Sequence, residues 1–284
     1  MHDITIALDH LKVAAVSNQP SLSSDKPKVL LLHGWLDNAA SFTDIIPLMS
    51  DYHVVAIDWP GHGLSDHKNA GAYYHFVDWL DDLFQVFKAL NWPKAHIVGH
   101  SMGGMIASAY AAAFPEHLQS LTLIDAFGFV SDEASNTTQQ IRKGIESRHK
   151  KAHNVTKLHP DLSSAIKARL QVSDFSLKEA TLIVQRGTEV TDKGVKWRSD
   201  SRLRNVSPYR YTYAQAKQLM TDLNSVPLQL IYGDKGMEMV AKMFEKFSPL
   251  VPQMSSHKIA GGHHVHMEQP EVTTDLILSF ISTH

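Results

Sequence analysis

Short apolar runs alternate with helix-favouring segments along much of the chain, beginning with two β-favouring runs on either side of Asp9-His10. These first two runs predict an opening hairpin. Residues 29–32 and 54–57 are apolar throughout, which is typical of strands buried on both faces of a parallel sheet. The predicted strands are residues 4–8, 11–16, 29–32, 54–57, 95–98, 121–124, 228–232 and 257–260.

Helical segments lie between several of these strands. Residues 74–90 repeat apolar side chains at three-to-four spacing, and residues 102–114 are rich in alanine until Pro115 stops the pattern. A closing helix is predicted over about residues 270–282, and a short one over residues 41–50. This alternation predicts an α/β fold, with a mostly parallel sheet flanked by helices.

One long segment interrupts the alternation. Between residues 124 and 227 the chain is polar, rich in Lys and Arg and poor in β-favouring runs. We interpret residues 129–225 as an inserted helical cap, and residues 1–128 and 226–284 as the core. Basic side chains in the insertion could attract an anionic substrate, although charged helix faces are usually only solvated. They are Arg142, Lys143, Arg148, Lys150, Lys151, Lys157, Lys167 and Arg169.

Composition narrows the class of partner. The 284 residues are 43% hydrophobic with a formal net charge of −2, so nothing in the overall charge favours nucleic acid or an anionic membrane. We expect a small-molecule substrate and a monomer or homodimer. The first residues lack a basic segment followed by an apolar one, so no secretory signal is expected and the cytoplasm is the default location. The absence of cysteine excludes a thiol nucleophile.

Candidate chemistry centres on the sequence Gly-His-Ser-Met-Gly at residues 99–103. It lies between a predicted strand and a predicted helix, the context in which a sharp turn exposes a nucleophilic serine. Such a turn needs small residues, because a Cβ at Gly99 or Gly103 would collide with the neighbouring strand or helix. Ser101 is therefore the predicted nucleophile.

A serine nucleophile requires a base, an orienting carboxylate and donors for the oxyanion. Among 18 histidines, His263 has the right position, between the last strand and the terminal helix. The predicted oxyanion donors are the backbone N–H groups of Met102 and Trp35, with Gly34 allowing the backbone to come close and the Trp35 indole forming part of the pocket wall.

The histidines that follow raise the alternative of a metal site. His263, His264 and His266 are close in sequence, but no ligand at a familiar spacing accompanies them except Glu268. We therefore expect no metal and no cofactor. His264 and His266 are predicted to be packing or exposed residues.

Five motifs, in this order along the chain, carry a family resemblance. They are residues 33–38, residues 58–65, residues 99–104, residues 233–234, and residues 262–263 followed by Glu-Gln-Pro at 268–270. With them the chain resembles the α/β-hydrolase fold superfamily over essentially its full length, and residues 33–38 and 186–200 look like the serine hydrolase-like proteins. The resemblance implies a Ser-His-acid hydrolase with a lid, using Ser101 and His263. Dehalogenases and epoxide hydrolases of this fold carry aspartate at the nucleophile position, so serine argues against those activities.

The carboxylate that should orient His263 is not at the sequence position that is usual in the superfamily. The usual aspartate position, three residues after the glycine that ends the penultimate strand, is Gly236 here. Asp125 follows the preceding strand, 24 residues after Ser101, at a position that resembles the one used in the dehalogenase branch. We favour Asp125 as the acid and keep Asp234 as the alternative.

These observations predict a carboxylesterase acting on small or medium acyl esters through an acyl-enzyme. A C–C bond hydrolase, a perhydrolase or an acyltransferase could use the same three residues. A non-catalytic ligand-binding protein on a hydrolase scaffold is the alternative of another class, since Gly236 stands where an acid is expected.

Overall fold

A single eight-stranded sheet forms the centre of the protein. The structure is a computed structural model that describes residues 1–151 and 158–284. In chain order, the strands are β1 His2–Ala7, β2 Lys12–Ser17, β3 Lys28–Leu32, β4 His53–Ile57, β5 Ala95–His100, β6 Leu118–Ile124, β7 Ser131–Asp132, β8 Thr188–Thr191, β9 Gly194–Trp197, β10 Tyr211–Thr212, β11 Leu228–Gly233 and β12 Ser255–Ile259. The large sheet has the order β1-β2-β4-β3-β5-β6-β11-β12, antiparallel only where β2 pairs with β1 and β4.

α-Helices cover both faces of this sheet, and others lie in the segment between β6 and β11. They are α1 Phe76–Leu90, α2 Met102–Ala113, α3 Thr137–Lys151, α4 Leu162–Leu170, α5 Leu177–Gly187, α6 Tyr213–Asp222, α7 Glu238–Phe247, α8 Val265–Glu268 and α9 Pro270–Ile281. None of the helices in the described ranges has both the length and the apolar character that crossing a membrane requires.

The predicted strands are all confirmed, with bounds that differ by at most three residues. The prediction of a helix over residues 41–50 is wrong: two short 3-10 helices, Ala39–Phe42 and Ile46–Leu48, take its place. Pro47 lacks an N–H and its ring clashes with the preceding turn, which interrupts a continuous α-helix there. Helix α7 was not predicted.

Two apolar clusters pack on the two faces of the sheet. The larger contains side chains of α1 and α2, such as Leu83 and Tyr110, against inward residues of β3, β5 and β6. The smaller places Phe42, Ile46 and Ile277 on the opposite face. Burial on both faces explains why the central strands are apolar throughout.

The segment between β6 and β11 is not purely helical. Besides α3 to α6 it holds two short strand pairs, β7 with β10 and β8 with β9, which the sequence did not predict. Helix α6 packs with the core, since Ala216 and Met220 belong to the larger apolar cluster. The cap assignment of residues 129–225 stays a prediction, and residues 152–157, including Lys157, lie outside the described residues.

The turn between β5 and α2 is tightly packed. Ser101 adopts φ 51° and ψ −119°, outside the usual regions for a side-chain-bearing residue. A Cβ added to Gly103 would overlap the carbonyl oxygen of Leu32 on β3, and one added to Gly99 would lie 2.7 Å from the backbone N of Gly104. The predicted need for glycine at both positions is confirmed.

Substituting Gly103 tests this constraint. Gly103→Ala should lower the free energy of unfolding by about 2 kcal/mol or more, because the obstacle is backbone of a central strand and cannot move aside. Gly71→Ala is the matched control, since no atom lies within 4 Å of its added Cβ. Chemical denaturation measures both, and equal effects of the two substitutions would contradict the packing argument.

Candidate active site

The structure brings Ser101, His263 and Asp125 into one hydrogen-bonded row. Ser101 Oγ lies 2.9 Å from His263 Nε2, and His263 Nδ1 lies 2.6 Å from Asp125 Oδ2. An ionised carboxylate only accepts, so Nδ1–H donates to Asp125 and Nε2 is left to accept from the serine hydroxyl. The arrangement can transfer the hydroxyl proton to the imidazole during nucleophilic attack.

All three residues follow the carboxyl ends of parallel strands. Ser101 follows β5, Asp125 follows its neighbour β6, and His263 follows β12. Parallel strands end at the same edge of a sheet, so residues more than 100 positions apart in sequence meet there.

Asp125 is held in place by its surroundings. Its side chain is buried, and its backbone has a φ of 41°, in the left-handed region. Besides His263, its carboxylate accepts hydrogen bonds from the backbone N–H groups of Met237 at 3.1 Å and Gly233 at 3.4 Å. A Cβ added to Gly236 would overlap Asp125 Oδ1. The Asp125 carboxylate therefore occupies space that a side chain at position 236 would need.

The alternative acid, Asp234, makes a different contact. Its exposed carboxylate accepts the backbone N–H of Gly261 at 2.9 Å, and this hydrogen bond holds the pKa of Asp234 below its usual range. The Asp234 N–H donates to Ile259 at the end of β12. Asp234 thus joins the loops after β11 and β12, while His263 Nδ1 bonds to Asp125.

The predicted oxyanion residues lie around Ser101. Met102 is the first residue of α2, where a backbone N–H has no acceptor within the helix. A Cβ on Gly34 would lie 3.1 Å from Ser101 Cβ, so glycine lets this loop come close, as predicted. The Trp35 indole donates to the Leu203 carbonyl at 3.2 Å and lines the cavity above Ser101. The donor roles of Trp35 and Met102 remain predictions.

Sequence reasoning missed a charged network beside the row of Ser101, His263 and Asp125. His264 Nδ1 lies 2.6 Å from Asp174 Oδ1, and His264 Nε2 lies 3.2 Å from Asp37 Oδ2. Burial disfavours the charge, but the two carboxylates outweigh it and raise the pKa of His264 to about 9. Burial likewise opposes the charge of Asp37, yet His264 and Arg169 hold its pKa well below the usual range. His264 is therefore a buried cation between two anions, not a packing or exposed residue.

This network also holds the loop of His263. Asp174, from the segment after α4, accepts the backbone N–H of His263 at 2.5 Å as well as that of His264 at 3.4 Å. Arg169 of α4 donates to Asp37 Oδ1 at 2.5 Å. Nothing in the spacing of Asp174 marked it, because its partners are about 90 residues away.

His100 and His266 complete a buried histidine cluster. His266 packs against Phe42, and burial lowers its pKa to about 3, so the packing part of its prediction is confirmed and exposure is wrong. Burial also lowers the pKa of His100, whose Nε2–H donates to the His263 carbonyl at 3.0 Å.

A metal-like grouping exists among the described residues, since donor atoms of Asp37, His100 and His264 all lie within 4.8 Å of one another. Its chemistry does not suit a cation. His264 with its raised pKa carries protons on both nitrogens at neutral pH, and Asp37 is already paired with Arg169. The three residues form an ion-pair network instead.

A cavity of about 1090 Å³ opens over Ser101 and His263. The core contributes Trp35 and Met237 to its wall, and the inserted segment contributes the opposite side. The residues of the inserted segment include Arg169, Gln171, Val172, Ser173, Asp174, Ile183, Trp197 and Arg204. A bounded cavity of this size suits a small or medium ligand.

The raised pKa of His264 makes stability depend on pH. Its contribution is fully present below the unfolded pKa of 6.5 and is lost as pH rises through about 9. We expect the free energy of unfolding of the wild type to fall between pH 6.5 and about 9.5 by on the order of 3 kcal/mol more than that of His264→Gln. His149→Gln, on an exposed stretch of α3, is the control, and parallel curves for His264→Gln and wild type would refute the network's role.

Comparisons with known proteins identify the family to which this sequence and fold are similar. A family model described as the alpha/beta hydrolase fold matches residues 27–270. Serine hydrolase-like protein 2 of Homo sapiens is 32% identical over 278 residues, covering 91% of this chain and 88% of that protein. A hypothetical protein of Pseudomonas aeruginosa, known from a crystal structure, is 31% identical with a TM-score of 0.93, covering 99% of this chain and 100% of that one.

A more distant relative carries a specific name. The 2-(acetamidomethylene)succinate hydrolase of Mesorhizobium japonicum is 25% identical over 265 residues, which cover 90% of this chain and 88% of that protein. The family model spans most of the chain, and the human relative exceeds 30% identity over nearly all of it. The resemblance inferred from five motifs is confirmed: this chain belongs to the α/β-hydrolase fold family, close to the serine hydrolase-like proteins.

Proposed function

We propose that this hydrolase cleaves small or medium carboxylic esters through an acyl-enzyme formed on Ser101. The observation that carries the proposal is the hydrogen-bonded row Ser101–His263–Asp125, with distances of 2.9 and 2.6 Å. A serine, an imidazole and a buried carboxylate in this order are what nucleophilic acyl transfer requires. The reaction needs no metal and no cofactor.

In the proposed mechanism, Ser101 Oγ attacks the ester carbonyl while His263 Nε2 takes the hydroxyl proton. Asp125 stabilises the resulting imidazolium and keeps its ring oriented. The N–H groups of Met102 and Trp35 bind the oxyanion, and His263 then protonates the departing alcohol. Water enters, gives a proton to His263 and attacks the acyl carbonyl. The bond from the acyl carbon to Ser101 Oγ then breaks, His263 returns the proton to Oγ, and the carboxylic acid leaves.

The cavity above Ser101, about 1090 Å³, suits a small or medium substrate. An ester is the class we favour because attack of a serine on an ester carbonyl is the reaction that the row Ser101–His263–Asp125 most simply performs. The alternative of a non-catalytic binding protein was raised by Gly236, and the contact of Asp125 with His263 removes that reason. C–C bond hydrolysis, perhydrolysis and acyl transfer use the same three side chains. The acetamido group in the name of the Mesorhizobium relative's substrate makes an N-acyl compound a necessary comparison.

Active-site labelling combined with a substrate panel tests the proposal. A fluorophosphonate probe should label the folded wild type on Ser101 and leave Ser101→Ala unlabelled. The p-nitrophenyl esters of acetate and butyrate should both be hydrolysed. If both esters go untouched while a diketone, a thioester or an N-acetyl compound is turned over, the ester assignment is wrong. Absence of labelling would favour the binding-protein alternative.

The identity of the acid is tested by two matched substitutions. Asp125→Asn should lower kcat by up to about 10⁴-fold, because His263 loses the carboxylate that sets its tautomer and stabilises its charge. Asp234→Asn should change kcat little, since the hydrogen bonds of Asp234 within the described part of the chain go to backbone of the loops that it joins. Collapse of the Asp234 variant alone would overturn the assignment.

Moving the carboxylate from position 125 to position 236 tests the same assignment in a second way. Asp125→Gly empties the space beside position 236 and tolerates the positive φ at 125. Adding Gly236→Asp should raise kcat about tenfold or more over Asp125→Gly alone, because a carboxylate re-enters that space. Gly236→Asn in the same background matches the shape without the charge and should give no such recovery.

A further inference from the structure

We propose that Asp174, a residue of the inserted segment, positions His263 for catalysis, so that the base is correctly placed only while this segment is docked on the core. The inference rests on the proposed roles of Ser101 and His263 in hydrolysis and adds a positioning residue to them. Asp174 lies between α4 and α5 and lines the cavity above Ser101. Its hydrogen bond to His263 is with the backbone N–H, so it acts on the base by holding its main chain.

The loop after β12 presents four successive backbone N–H groups, those of residues 261–264, to carboxylates. Asp234 and Glu268, both outside the inserted segment, accept the first two at 2.9 and 2.8 Å. Asp174 accepts the last two at 2.5 and 3.4 Å, and the shorter of these hydrogen bonds is that of His263. The core thus holds the start of the loop, and the inserted segment holds the residue that carries the base.

The Asp174 carboxylate is ionised and makes a further hydrogen bond beside the base. Its Oδ1 lies 2.6 Å from His264 Nδ1, whose N–H it accepts. Burial opposes the charge of Asp174, but its hydrogen bonds to the His264 ring and to backbone N–H groups hold its pKa well below the usual range. Hydrogen bonds to an ionised acceptor are stronger than those to a neutral one, so Asp174 fixes the main chain of His263 more firmly than a neutral acceptor would.

Ion pairs on both sides of Asp174 place it beside this loop. On α4, Arg169 donates to Asp37 at 2.5 Å. Near the end of α5, Arg186 Nε–H donates to the two oxygens of Asp58 at distances of 3.1 and 3.0 Å. The four side chains of these pairs are largely buried. A displacement of the inserted segment would have to break these pairs, and it would withdraw Asp174 from the base.

Gly262 reflects how closely Asp174 approaches the loop. A Cβ added to Gly262 would overlap Asp174 Oδ2, the oxygen that accepts the N–H of His263. The backbone of Gly262 lies outside the left-handed region, so conformation alone does not require glycine here. Glycine at position 262 therefore leaves room for the Asp174 carboxylate, and a methyl group there would displace it.

The rate at which a fluorophosphonate labels Ser101 tests the proposal, because labelling depends on proton transfer to His263 and not on the class of substrate. Asp174→Ala should slow the labelling of folded protein by about tenfold or more, since a small misplacement of a catalytic group can cost about 100-fold. Asp174→Asn retains an oxygen that can accept the His263 N–H but lacks the charge, so its rate should lie between those of Asp174→Ala and wild type.

Asp192→Ala is the matched control, since it removes an exposed carboxylate of the inserted segment from the turn between β8 and β9. It should label at the wild-type rate. Circular dichroism establishes the temperature at which each variant is folded, and all rates are compared below it. A role of Asp174 in packing alone would lower stability and leave the labelling rate of folded protein unchanged, and that result would overturn the proposal.

Gly262→Ala provides an independent test. In the wild-type background the added methyl group should displace Asp174 and slow labelling by a factor similar to that of Asp174→Ala. In the Asp174→Ala background the same substitution should have little further effect, because the overlapping oxygen is absent. The four proteins form a double-mutant cycle that measures this coupling. Additive effects would mean that positions 174 and 262 act separately, which contradicts the proposal.

Amide hydrogen exchange followed by NMR tests the contact without any reaction. The backbone N–H groups of His263 and His264 should exchange about tenfold faster or more in Asp174→Ala, because they lose a charge-assisted hydrogen bond, and should be unchanged in Asp192→Ala. Unchanged exchange in Asp174→Ala would overturn the proposal whatever the activity.

The combined results separate this inference from the ester reaction. If exchange quickens and labelling slows in Asp174→Ala while neither p-nitrophenyl ester is hydrolysed by the wild type, the positioning role stands and the ester assignment alone fails. If Asp174→Ala hydrolyses the esters and is labelled at wild-type rates, the positioning role alone fails. A wild type that is not labelled at all would overturn both.

Discussion

The hydrogen bond between Asp125 and His263, 2.6 Å long, is the interaction on which the site depends. It joins the ends of β6 and β12, which are separated in the sheet by β11. The loop after β11 must leave room for this contact, and glycine at position 236 does so. Asp125 meets His263 from a left-handed backbone conformation, a strained geometry of the kind that persists at functional sites when the surroundings enforce it.

A second set of contacts connects the inserted segment to the loop after β12 that carries His263. Asp174 accepts a hydrogen bond from the backbone N–H of His263. The His264 ring donates one N–H to Asp174 and the other to Asp37. The wall of the cavity and the position of His263 are thus coupled through the charged contacts of Asp174 with the buried His264. Removing Asp37 would leave the buried His264 cation with Asp174 as its remaining anionic partner among the described residues, which is costlier than losing a surface ion pair.

The sequence pattern correctly predicted the features that depend on a short stretch of residues. The turn at Ser101 combines a strand, two glycines and a helix within a short window, and the central strands are apolar because both faces are covered. The helix predicted over residues 41–50 is wrong for a local reason, since Pro47 lies within it. Where neighbours in space decide the outcome, the local pattern is insufficient: His264 is charged because Asp37 and Asp174, distant in sequence, lie on either side of its ring.

By itself the sequence determined the α/β alternation, the serine turn, the position of His263 and a choice between two acids. These follow from residue type and order, because periodicity, turn chemistry and strand ends are properties of short segments. Only the tertiary structure decided which carboxylate reaches His263 and which cations face the cavity. Those outcomes depend on the sheet order β6-β11-β12 and on where the inserted segment lies, and contacts between residues about 90 to 138 positions apart have no signature in any local window.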